Sequence, residues 1–149
     1  MIRLILMRHG NTFEAGQTPV QVGARTDLPL TAQGLFQANQ MVKYLTAEGI
    51  IPKAVFTGTL KRQAESAQII AEYFGLNVQD TPALTEIDYG LWEGLSSEEI
   101  QAKWAKEYAE WNDLAKWQPH IFQGTYETHL KHIEEWLHGL RKTYEEKAL

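Results

Sequence analysis

An arginine, a histidine and a glycine stand together at Arg8-His9-Gly10, directly after an apolar run, and Asn11 and Thr12 follow. A guanidinium fork matches the geometry of a phosphate and stays charged. A histidine beside it has the chemistry of a nucleophile toward phosphorus. The glycine lets the backbone turn and approach a ligand closely. Taken alone, the tripeptide is equally compatible with a histidine that ends a strand and caps a turn. A second group, Thr57-Gly58-Thr59-Leu60-Lys61-Arg62, opens a helical pattern. A helix N-terminus presents unpaired N–H groups and a favourable dipole to an anion. Arg62 lies one turn in, within reach of that anion, although a solvated basic pair is the plainer reading of Lys61-Arg62.

Two further groups carry polar residues in shaped loops. Leu84-Thr85-Glu86-Ile87-Asp88-Tyr89-Gly90-Leu91-Trp92-Glu93-Gly94 contains an acid, Glu86, suited to general acid chemistry if burial near arginines keeps it partly protonated. Its alternative is an ordinary surface acid. In Gly23-Ala24-Arg25-Thr26-Asp27-Leu28-Pro29-Leu30-Thr31, Arg25 is a candidate substrate contact, although exposed arginines commonly do nothing specific.

These groups must be positioned by the elements around them. Ile2 to Met7 is nearly continuous in apolar residues, the pattern of a strand covered on both faces, as in a parallel sheet. Ligands in such sheets sit beyond the carboxyl ends of strands, where Arg8 and His9 fall. Thr31 is a good N-cap for a helix reaching about Glu48, with Leu35, Ala38, Val42 and Leu45 on its buried face and Gly49 at its stop. Ala54 to Thr57 reads as a buried strand. The next helix carries Leu60, Ala64, Ala67, Ala71 and Phe74 and stops at Gly75; Leu76 to Gln79 is then another strand. Ser96 and Glu99 have capping-box spacing for a helix holding Trp104, Tyr108 and Trp111. Those tryptophans, with Trp92, fit a core better than a pocket for an apolar leaving group. A last helix presents Leu130, Ile133, Leu137, Leu140 and Tyr144. Strand and helix alternate, so the expected class is α/β, a mostly parallel sheet with helices on both faces.

The 149 residues, 44% hydrophobic, suffice for a single domain spanning 1–149. The net charge of −5 argues against nucleic acid as a partner and makes any anion site a local matter of placed arginines. With no cysteine, disulfides, zinc–thiolate sites and a cysteine nucleophile are excluded. That fits a reducing, cytoplasmic location. The opening apolar run is too short to span a bilayer and lacks a secretory cleavage pattern, so no membrane association is expected. His129 and His132, three apart, have no carboxylate pattern beside them, so no metal and no other cofactor is expected.

The four groups together resemble the signature segments of the histidine phosphatase (phosphoglycerate mutase-like) superfamily. Met7 to Thr12 is similar to its RHG signature. Asp27-Leu28-Pro29-Leu30-Thr31 with Gly34 and Gln37-Ala38 resembles its D-x-P-L-T-x-x-G-x-x-Q-A segment. Thr57 to Arg62 with Ala67 resembles S-S-x-L-x-R-x-x-x-T-A, with Ser66 in the threonine place. Leu84 to Gly94 resembles L-x-E-x-x-x-G-x-W-E-G. The order and near-spacing are the family's. The resemblance implies that His9 accepts the phosphoryl group, that Arg8 and Arg62 hold the phosphate oxygens, and that Glu86 protonates the leaving oxygen and later activates water. It further implies substrate contacts from Arg8, Asn11, Thr12, Arg62 and Arg25, a small phosphorylated substrate or inorganic phosphate as ligand, and no metal.

The chain departs from the family at three places. Asn11 stands where glutamate is common, and Gly58 replaces a serine. The family's second histidine, in a strand ending S/T-H-G, has no counterpart: His120, His129, His132 and His138 do not fit the pattern. The expectation is therefore a domain cut short at its C-terminal end, whose first strand lacks a neighbour. Such an edge seeks a partner, so the chain is expected to form a homodimer, to swap elements, or to be marginally stable. The leading reading is a phosphatase acting on a phosphomonoester. The alternatives are a phosphate-binding module that has lost turnover, and a phosphoglycerate mutase.

Overall fold

The computed structural model describes residues 2–145. Two short strands, β1 (Val55–Thr57) and β2 (Val78–Asp80), pair in parallel with Val55 opposite Val78. They are joined by helix α2 (Lys61–Phe74). Helix α1 (Ala32–Ala47) precedes β1, and α3 (Ser97–Leu114) and α4 (Tyr126–Glu145) follow β2. Parallel strands need a crossover of this kind, because a tight turn cannot reverse the chain twice.

Local chemistry accounts for the helix ends. The Thr31 hydroxyl accepts from the Gly34 N–H and starts α1. Gly75, at φ 66°, ends α2 in the left-handed region. Ser96 and Glu99 form a complete capping box at the start of α3, satisfying two orphan N–H groups reciprocally. A kink at Trp104 interrupts α3.

Successive residues of a strand face opposite ways, and β1 uses both sides. Val55 packs with Met7 against Val42 and Leu45 of α1 and Ile70 of α2. Phe56 meets Trp136 and Tyr144 of α4 edge-on, with ring centroids 5.6 and 6.5 Å apart. Helices therefore cover both faces of the strand pair, as an α/β arrangement requires. A second cluster lies beyond the sheet, where Trp92, Ile100, Ile121 and Phe122 are buried among Tyr89, Tyr108, Trp111 and Trp117. The aromatic residues of this region build a core.

One expectation is corrected. Residues 2–7 do not form a strand covered on both faces. They belong to no ladder among the described residues, and Leu4, Ile5 and Leu6 are 47, 40 and 82% exposed. A strand exists only where a neighbour takes its N–H and C=O groups. Among the described residues, β1 pairs with β2 alone. The run still packs Met7 into the α1–α2 core and delivers Arg8 and His9 to its edge. No helix among the described residues is long and apolar enough to cross a membrane.

Candidate active site

The loop after Met7 is seated on the N-terminal turn of α1. Asn11 donates its backbone N–H to Gln37 Oε1 at 2.8 Å, and its carbonyl accepts from the Thr31 N–H at 2.9 Å. Gly34 permits this approach: a Cβ there would lie 3.0 Å from the Asn11 nitrogen and closer still to its carbonyl oxygen. Thr31, Gly34 and Gln37 thus share one task, fixing the backbone that carries His9.

His9 is half-buried, and Nδ1 lies 2.7 Å from the carbonyl oxygen of Gly10. A carbonyl only accepts, so Nδ1 carries the proton. Nε2 is then the unprotonated nitrogen, and the Nε–H of Arg62 donates to it at 3.3 Å. Burial, followed by the positive charges of Arg62 and Arg8, holds the His9 pKa below its ordinary value of 6.5, against the opposing pull of the Gly10 hydrogen bond and Glu86. The neutral imidazole is therefore the stable form near neutrality, with a lone pair aimed at the guanidinium.

Arg62 is 1% exposed. Desolvation lowers its pKa, while Glu86, Asp27 and Glu93 favour its charge. Its NH1 donates to the Thr26 carbonyl at 2.8 Å and its NH2 to the Gly23 carbonyl at 3.3 Å. Glu86 Oε2 stands 3.9 Å from NH2, and Oε1 accepts from the Ile87 N–H at 3.0 Å. His9, Arg62 and Glu86, drawn from three separate stretches, meet at one point. Arg8 is exposed and near enough to act on the His9 charge. His9 and Arg8 line an open cleft of about 550 Å³ between residues 6–11 and α1.

Other candidates are placed differently. The Arg25 guanidinium is engaged by Asp88, Nε to Oδ1 at 3.0 Å, at a half-exposed position. Asn11 is exposed and Thr12 half-buried in the loop after His9. The expected anion site at the N-terminus of α2 is corrected at its first residue. Asp27 Oδ1 accepts from the Lys61 N–H at 2.6 Å, so the protein's own carboxylate occupies it. Gly58 has a steric reason: a Cβ there would meet the Leu84 carbonyl oxygen at 2.5 Å. Among the described residues, no three His, Cys, Asp or Glu side chains are grouped to hold a metal ion.

Asp27, Glu93 and the carbonyls of Gly23 and Thr26 also belong to the site, without any role expected for them from sequence. Backbone carbonyls leave no residue-type signal. Asp27 and Glu93 did stand in the matched segments, and that was the available hint.

Residues 4–149 match the model of the histidine phosphatase superfamily, branch 1. The chain belongs to this superfamily. A 2,3-bisphosphoglycerate-dependent phosphoglycerate mutase of Parvibaculum lavamentivorans is 30% identical over 127 residues, covering 83% of this chain and 55% of that protein. Phosphoserine phosphatase 1 of Hydrogenobacter thermophilus is 32% identical over 127 residues, covering 83% and 56%. The chain thus spans about half the length of these histidine phosphatase relatives. Among solved structures, a putative alpha-ribazole-5'-P phosphatase from Escherichia coli superposes with TM-score 0.71 at 27% identity, covering 93% of this chain and 67% of that one. A mycobacterial glucosyl-3-phosphoglycerate phosphatase in complex with inorganic phosphate gives TM-score 0.75 at 25% identity, covering 93% and 62%. The histidine phosphatase fold accounts for the α/β class, and its members in these comparisons include both phosphatases and mutases.

Proposed function

We propose that this chain is a phosphatase that hydrolyses a phosphomonoester through a phosphohistidine on His9. The observation that carries the reading is the unprotonated Nε2 of His9 facing the buried Arg62 guanidinium, with Glu86 Oε2 3.9 Å from the same guanidinium. The phosphoryl group sits against Arg62 and Arg8, whose charge stabilises its equatorial oxygens in the transition state. Nε2 attacks phosphorus and the bond to the leaving oxygen breaks. That oxygen takes the proton of the Glu86 carboxyl. A water then attacks the phosphohistidine, giving its proton to Glu86 as the P–N bond breaks, so that inorganic phosphate leaves and the acid is restored.

This sequence uses side chains alone and draws no step from a metal. Asn11 and Thr12, in the loop after His9, are the residues proposed to contact the rest of a substrate, Asn11 from the lining of the cleft; Arg25, paired with Asp88, would have to leave that carboxylate to join them. Transfer of the phosphoryl group to a second hydroxyl instead of water would make the same site a mutase, the activity named for one of the relatives.

The test is hydrolysis of an aryl phosphate in the presence of EDTA by the chain and by His9→Ala. Turnover by the first and not by the second is expected, with acid-labile 32P incorporated only where His9 is present. Saturable phosphate binding without turnover would replace the enzyme with a phosphate-binding module.

A further inference from the structure

Glu93 touches neither His9 nor the cleft, yet its carboxylate organises the peptide segment that grips Arg62. Thr26 Oγ1 donates to Glu93 Oε2 at 2.6 Å. The Arg25 N–H donates to the same carboxylate, at 3.1 Å to Oε2 and 3.3 Å to Oε1. The Tyr89 N–H donates to Oε1 at 3.2 Å. A Cβ on Gly23 would collide with Oε1 and would lie 2.7 Å from the Ile87 carbonyl oxygen, so that glycine is what lets the loop close over the acid. The two residues whose carbonyls receive the Arg62 guanidinium, Gly23 and Thr26, are thus the two that flank the Glu93 contact.

We infer that Glu93 is a positioning residue: it locks residues 23–26 so that their carbonyls aim the Arg62 guanidinium at His9 Nε2. The inference rests on the phosphatase reading for its consequence in catalysis, but the geometry it describes stands without it. Three of the four hydrogen bonds to Glu93 come from loop 23–26, and the fourth, from Tyr89, comes from the segment that bears Glu86. One carboxylate therefore joins the loop that holds the phosphate-binding arginine to the loop that holds the acid. Ala24 N–H to Ile87 O, at 3.0 Å, runs alongside. A carboxylate suits the place because it accepts at both oxygens; an amide offers one acceptor and turns a donor toward a donor.

The experiment compares the full chain with Glu93→Gln and with Thr26→Val, which deletes one Glu93 contact and leaves the Thr26 carbonyl in place. Three quantities are read: the Arg62 Nε–H resonance and its exchange protection by 15N NMR, the affinity for inorganic phosphate by calorimetry, and kcat and KM on an aryl phosphate. In folded Glu93→Gln, the Arg62 resonance shifts and loses protection. Phosphate binding and kcat/KM fall together by about 10- to 100-fold, and Glu93→Asp recovers some of each. Thr26→Val moves the same readouts in the same direction, by less, and decides the matter should Glu93→Gln fail to fold. An unchanged Arg62 resonance with unchanged phosphate affinity in a folded variant overturns the inference. Should the unaltered chain neither bind nor turn over phosphate, the phosphatase reading falls, while the Arg62 resonance still decides the role of Glu93.

Discussion

The Nε–H of Arg62 points at Nε2 of His9 across 3.3 Å, and the ring's other nitrogen is committed to the Gly10 carbonyl. The arginine therefore selects the tautomer from one side while the backbone selects it from the other. An incoming phosphoryl group would enter between them, taking the guanidinium as its counter-charge and the lone pair as its nucleophile. Replacing Arg62 with lysine keeps a charge but loses the planar fork that Gly23 and Thr26 receive. Arg62→Lys is expected to lower kcat/KM on an aryl phosphate by roughly 100-fold or more, the scale of losing an aimed oxyanion donor. Near-normal turnover would mean that the guanidinium holds no transferring oxygen.

The pH dependence follows from the depressed His9 pKa. Burial and the two arginines keep the ring neutral to below 6.5. Turnover should therefore persist as pH falls through 6.5 and decline only on the acid side of it, where Nε2 gains a proton. Stability follows the same sign. Above 6.5 the ring is neutral in both folded and unfolded chains. As pH falls from there, the unfolded chain binds the proton first and His9 disfavours folding, until the folded ring titrates as well. An NMR titration of His9, run beside urea unfolding at several pH values, checks both. A His9 midpoint above 6.5 would contradict the burial argument.

Gly90 supports the turn that carries Glu93. It has φ 55°, and a Cβ there would overlap the Ile121 carbonyl oxygen, with the Ile121 carbonyl carbon 2.9 Å away. Gly90→Ala must strain the backbone and push the Gly90 turn away from the Ile121 segment of the aromatic cluster. A loss of about 1–3 kcal/mol in unfolding free energy is expected, measured by chemical denaturation. A neutral effect would show that the turn relaxes freely.

The apolar run before Arg8 exposes Leu6 at 82% and Ile5 at 40%, beside backbone that enters no ladder among the described residues. Edges and apolar patches of this kind recruit partners. The chain is expected to associate with itself as concentration rises, and Leu6→Lys to shift sedimentation toward the monomer without altering the far-UV spectrum. A single monomeric species over a wide concentration range would refute this.

Legibility from sequence followed the range of each interaction. The caps at Thr31, Gly75 and Ser96 lie within a few residues of what they satisfy, so residue type alone announced them. The apolar spacing announced most of the buried faces of α1 and α2 in the same way, because a helix converts sequence period directly into a side; Leu35 of α1 is the exception, 42% exposed, with Gly34 buried beside it against the Asn11 loop. The polar segments around His9, Arg62 and Glu86 were recognisable as a set, and all three lie within the superfamily match over residues 4–149.

What sequence determined here was the inventory: the chemistry available, the helices, the family and the α/β class. Tertiary structure decided what each group touches. Residues 2–7 read as a strand on composition, but a strand is completed by a neighbour's hydrogen bonds, which composition cannot supply. Arg25 and Arg62 are the same residue type, yet one is spent on Asp88 and the other is buried against His9. Glu86 and Glu93 differ in the same way, one beside the guanidinium and one bound to the loop whose carbonyls receive it. Such distinctions arise from contacts between residues far apart in the chain, where carbonyl direction, exposure and a few ångströms of separation set the charge and reach of each group.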